Sequence, residues 1–123
     1  MSRSWLLYLD DLIEGAEKIG RFVAGRTLES FVADEAVFDA VLFNLQIVGE
    51  SVKKLPEEAR LVIPAADMAG PARLRDLIAH HYFALDAEII WEVANTHVPR
   101  LLAHVRKLRE KMDQGQPGAE RSE

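Results

Sequence analysis

The chain contains no cysteine, so disulfides and thiolate chemistry are excluded and nothing points to export. It also lacks any apolar run near the ~20 residues needed to cross a bilayer. The N-terminal stretch MSRSWLLYLDDLIEG does not read as a signal peptide, because Asp10 and Asp11 cut its apolar run short. A cytoplasmic protein without a membrane partner is expected. Positive charge is not in excess either: the net charge is −5, which argues against a broad, non-specific grip on nucleic acid and against a DNA partner. A small basic pocket remains compatible with that balance. There is no Gly-rich phosphate loop, since Gly49 and Gly70 stand isolated, so the chain alone is not expected to build a nucleotide site. HExxH and i, i+4 histidine pairs are absent, and His97 and His104, seven apart, have Pro99 between them. Neither a metal nor another cofactor is expected. Alternating strand patterns and internal repeats are missing as well.

What remains is helix. Leu6, Leu9, Leu12, Ile13, Ala16, Ile19 and Val23 form one helical stripe, and Gly25 is a suitable stop. Arg26 to Ala33 reads as a loop, and Asp34 as the N-cap of a second helix. Phe38, Val41, Leu45, Val48, Val52 and Leu55 are spaced 3, 4, 3, 4, 3, the seam of a helix packed along its length. Gly49 lies inside it at a local cost of ~1 kcal/mol, which close approach of another backbone would explain. Pro56 opens a short turn or loop, and Pro71 suits the first position of a third helix that runs to about Phe83. Asp86 caps a last helix with its stripe at Ile89, Ile90, Val93, Leu101, Val105, Leu108 and Met112, kinked or broken at Pro99. Trp5 and Trp91 read as core. The 123 residues suit one domain, an antiparallel bundle over 1–112, followed by a polar tail over 113–123 expected to be disordered.

One segment breaks the pattern of apolar stripe and wet face: RLRDLIAHHYFALD, residues 73–86, which crowds Arg73, Arg75, Asp76, His80, His81 and Tyr82 together. On a continuous helix Arg75 and Tyr82 fall within ~20° of each other, and Asp76 and His80 form an i, i+4 pair that would charge the imidazole. Arg75 and His80 diverge by ~140°, awkward for a site made by one helix. Two copies facing each other across a two-fold axis would bring one copy's histidine to the other's arginine. These groups suit attack on a phosphodiester. A histidine moves the proton, a guanidinium stabilises charge on the phosphoryl oxygens, and the ribose 2′-hydroxyl of RNA serves as nucleophile without a metal. Tyr82 could bind, stack a base or accept a covalent modification. Residue types alone also allow Arg75 and Asp76 to serve surface ion pairs, with one histidine in the core.

The spacing Arg75, four residues, His80, one residue, Tyr82 resembles the signature of the HepT toxins, all-helical ribonucleases of the HEPN superfamily. The resemblance extends over YLDDLIEGAEKIGRFVAG, ESFVADEAVFDAVLFNLQIVGESVKKL and RDLIAHHYFALDAEIIWEVANTHVPRLL, from Trp5 to about Val105. It implies an all-α, four- to five-helix HEPN bundle acting as a homodimer. A metal-independent RNase site would lie between the two third helices, with Arg75 and His80 as the catalytic pair. Arg73, Asp76 and His81 would support it, His81 by packing or a secondary phosphate contact. It implies an RNA substrate (tRNA is a recurrent family target) and the toxin role in a type VII-like toxin–antitoxin pair. The partner would be an MNT-type nucleotidyltransferase that neutralises the toxin by AMPylation of Tyr82. The other role open to such a chain is a helical binding subunit for that transferase. The chain departs from the pattern at three places: Asp76 follows the motif arginine where Asn is usual, a tryptophan before the motif is missing, and Phe43 replaces a common basic residue.

Overall fold

A computed structural model describes residues 4–115, and over them the protein is all-α, with no strand. Helix α1 spans Trp5–Val23, opened by Ser4, whose hydroxyl accepts from the Leu6 N–H, and followed by Gly25 at a positive φ of 74°. The expected stripe is the buried face: Leu9, Leu12, Ala16, Ile19 and Val23 all lie in the core. Residues read as loop before Asp34 instead contain a short helix, α2, Leu28–Ala33. Thr27 and Ser30 form a reciprocal capping box there, satisfying N–H groups that a two-turn helix leaves open at its start. Phe31 of α2 is fully buried, its ring 5.1 Å from those of both Phe38 and Trp91, so this helix plugs one end of the bundle. Asp34 caps α3, Glu35–Lys54, by accepting from the Val37 N–H, and the 3-4 seam of α3 is buried from Val41 to Val52. Trp5 and Trp91 pack against the core from partly exposed positions.

After the short α4, Glu57–Arg60, the motif helix α5 runs Ala65–His80, six residues earlier at its start than Pro71 suggested. Ala65, Ala66, Met68 and Ala69 are good helix formers, and Asp67 in the first turn suits the positive end of the helix dipole. Pro71 therefore sits inside the helix, a position that ordinarily costs ~3 kcal/mol. Packing on both sides holds it there. A Cβ at Gly49 of α3 would stand 2.5 Å from the Pro71 carbonyl oxygen and 2.5 Å from the Arg75 Cβ, while Gly70 packs against Val93 and His97. Gly49 thus sits where the backbone of α5 comes closest to α3.

The helix also stops short of the expected Phe83. His81 takes φ −139°, ψ 50°, and Tyr82–Ala84 form a single 3₁₀ turn. Asp86 caps α6, Ala87–Glu92, as expected. Pro99 breaks no helix. The turn before it widens to a π-helical one over Val93–His97, with the Val98 N–H bonded to the Val93 carbonyl, and α7 continues Val98–Gly115. Proline offers no N–H to a carbonyl four residues back, and the wider turn accommodates that loss. Asp10–Arg109 and Glu17–Arg106 ion pairs at 2.9 and 2.7 Å fix α1 and α7 antiparallel. Ile89, placed in the stripe from sequence, is about half exposed. The helix continues through residues 113–115, and the rest of the expected disordered tail lies outside the described residues. Among the described residues no helix is long and apolar enough to cross a membrane.

Candidate functional site

The close approach of α3 and α5 decides where Arg75 can go. Its side chain is about a quarter exposed, and its Nε stands 2.9 Å from Glu50 Oε1. The N–H is not aimed at that oxygen, so the contact is a charge pair rather than a hydrogen bond. On the other edge Nη1 donates to Asp76 Oδ1 at 3.4 Å, and the same oxygen accepts from Lys53 Nζ at 2.6 Å. Lys54 lies 4.0 Å from the second oxygen of Glu50. Cations and carboxylates thus alternate across the two helices, with Arg75 between two acids. Half-exposed pairs of this kind add little to stability; what they set is direction. Neither contact uses Nη2 of Arg75.

Asp76 consequently does not serve His80 in the way the i, i+4 spacing suggests. No ion pair joins the two among the described residues, and the carboxylate turns across to Lys53 on α3. The Lys53 hydrogen bond, joined by Arg75, holds the Asp76 carboxyl below the usual carboxylate range, so it is an anion at neutral pH. The reading of Arg75 and Asp76 as ion-pair residues describes their contacts correctly. A core histidine does not: residues 79–84, including His80 and His81, are exposed without a break.

His80 is the last residue of α5, and Tyr82 lies beyond it on the 3₁₀ turn. The alignment of Arg75 with Tyr82 on one continuous helix therefore does not hold, because the backbone leaves helical geometry at His81. Tyr82 is 52% exposed and meets the fully exposed Phe83 edge-on, ring centres 6.0 Å apart. His80, His81 and Tyr82 share one shallow depression, whereas Arg75 lines another, between α1 and α3. Within one copy of the chain the two halves of the motif line different depressions. Arg73 is exposed on α5. The sequence suggests no role for Glu50 or Lys53, whereas the close backbone approach expected at Gly49 is the one α5 makes. The one available signal was the stretch NLQIVGESVKK, where a glycine interrupts an apolar seam directly before an acid.

His97 and His104, separated by Pro99, both reach the buried carboxylate of Asp67: His97 Nδ1 at 4.0 Å and His104 Nε2 at 3.7 Å. Neither approach is a hydrogen bond, but both place histidines of the π turn and α7 beside the start of α5. Among the described residues no group of three His, Cys, Asp or Glu side chains is arranged to hold a metal ion.

The all-helical bundle, with Arg75 and His80 five apart on one helix and Tyr82 just past its end, keeps the order of elements expected from the resemblance. Residues 12–108 match the family of HepT-like ribonucleases, and the chain belongs to that family. It is 35% identical over 101 residues to a protein of Methanocaldococcus jannaschii that bears an RNase name, covering 82% of this chain and 84% of that one. It is 33% identical over 109 residues to a Thermococcus cleftensis protein called a probable ribonuclease HepT, covering 89% and 99%. A Caldanaerobacter subterraneus protein, also bearing an RNase name, is 34% identical over 107 residues, covering 85% and 93%. No solved structure matches the chain.

Proposed function

We propose that the protein is a metal-independent endoribonuclease that works as a homodimer, the toxin of a pair whose antitoxin is an MNT-type nucleotidyltransferase. The observation that carries this reading is the separation of Arg75 from His80 within one copy, on one unbroken helix. In a two-fold dimer, His80 of one copy stands beside Arg75 of the other. The His80 imidazole takes the proton of a ribose 2′-hydroxyl, whose oxygen attacks the adjacent phosphorus. The bond to the 5′-oxygen breaks, that oxygen is protonated, and a 2′,3′-cyclic phosphate remains. Arg75 stabilises the charge that grows on the phosphoryl oxygens, through the Nη2 edge that its own acids leave open. RNA, tRNA included, is the substrate class.

Tyr82 is the off-switch in this reading. Its exposed hydroxyl attacks the α-phosphorus of ATP in the partner's site, pyrophosphate leaves, and the AMP adds bulk and negative charge beside His80. Incubated with the transferase and ATP, the wild type should gain the mass of one or more AMP groups and Tyr82→Phe none. Labelling that survives Tyr82→Phe takes the tyrosine out of this role. The second reading, a binding subunit that holds the transferase, draws support from the two acids beside Arg75, which offset the charge a phosphate would meet. Expression of wild type and His80→Ala without a partner separates the two. Growth arrest and RNA breakdown with the wild type alone support the nuclease, and equal, harmless outcomes support the binding subunit.

A further inference from the structure

Beside Arg75 a groove of about 440 Å³ opens between α1 and α3. Two aromatic residues line it, Tyr8 and Phe43, together with Gln46, Ile47, Ser51 and Arg75. Phe43 is 63% exposed, so its ring is open to a stacking partner. From this groove we infer a nucleobase subsite: it takes an unpaired RNA base next to the phosphate at Arg75, with Phe43 as the stacking platform. The inference rests on the nuclease reading for what stands at Arg75, and it adds which part of the RNA is held and by what.

Three features favour a base over a second copy of the chain as the occupant. The groove is continuous with Arg75, so a nucleotide whose phosphate meets the guanidinium has its base within reach of the rings. Its size matches a small-molecule site, which starts at about 300 Å³. Its lining also mixes flat apolar faces with an amide, a hydroxyl and the carboxylates of Asp11 and Glu50. Base edges carry donors and acceptors to meet such groups, whereas an apolar interface core would leave them unmatched.

The test uses full-length protein carrying His80→Ala, so that RNA is bound and not cut, with short fluorescent single-stranded oligoribonucleotides of A, C, G or U. Adding Phe43→Ala should weaken binding by about 5- to 150-fold, the range found for loss of one base–aromatic stack. Phe43→Trp should restore it, and the salt dependence should stay the same because no phosphate contact is lost. Unchanged affinity in Phe43→Ala overturns the subsite. So does dissociation of a wild-type dimer by Phe43→Ala with RNA affinity kept, which makes the groove a copy–copy contact. Cleavage by otherwise wild-type Phe43→Ala at full rate and affinity sinks the subsite while leaving the nuclease intact. A wild type as inert as His80→Ala sinks the nuclease reading itself.

Discussion

At the scale of single residues, the acids around Arg75 are the feature to perturb. Glu50→Gln keeps the shape and removes the charge that draws Nε inward, so the guanidinium loses its fixed direction. Misplacing a catalytic group by about 1 Å costs on the order of 100-fold. Glu50→Gln should therefore lower kcat for RNA cleavage by roughly that factor with little change in thermal stability, measured in single-turnover assays beside a melting curve. Asp76→Asn acts the other way. It removes a negative charge beside the phosphate path and frees Lys53, so kcat/KM should rise severalfold at low salt, with the gain shrinking as salt is added. Because the folded-state pKa of Asp76 is lowered, its tie to Lys53 is intact above the ordinary carboxylate range and is lost only as pH falls through that depressed value. An NMR titration of the Asp76 carboxyl should show this midpoint below that of an unperturbed aspartate and move it upward in Lys53→Ala. Sequence spacing offered Asp76 a local partner in His80, whereas the partner it has is 23 residues away on another helix. Local periodicity carries no record of such a pairing. Arg75, His80 and Tyr82 stood out in the sequence because their types are unusual beside Leu, Ile and Ala, but spacing alone did not show that the helix ends at His80.

At the scale of elements, Gly49 joins α3 to α5. A methyl group there meets backbone and Cβ atoms at 2.5 Å, none of them the far end of a flexible side chain. Gly49→Ala should destabilise the bundle by about 1–3 kcal/mol, read from the denaturation midpoint, and should depress cleavage further than that loss explains because Arg75 is displaced. The stripes of α1 and α3 were readable from 3-4 spacing, and the caps Asp34 and Asp86 from residue type. The ends of α5 were not. A proline looks the same in a first turn as in an interior turn, and only packing against Gly49 on one side and Val93 and His97 on the other makes the interior position tenable. The π turn before Pro99 escaped for a similar reason: proline announces a disturbance without saying how neighbouring turns absorb it.

At the scale of the whole molecule, the decisive question is whether the two groups of one site come from two chains. Sedimentation at micromolar concentration should give a dimer mass. Mixing Arg75→Ala with His80→Ala chains offers a stricter measurement. Each variant alone should be inactive, while half of the randomly reassorted dimers hold one site with both groups intact, for roughly a quarter of the wild-type rate. No recovery would remove the shared site. Tyr82 bears on the same scale of events. The backbone leaves helical geometry at His81, so the phenol stands on a turn outside the packed helices, half exposed in the native bundle. A modifying enzyme can reach it without waiting for any part of the fold to open. If Tyr82 is the proposed off-switch, the rate of its modification should follow encounter between two folded proteins, and osmolytes that suppress local unfolding should leave it unchanged.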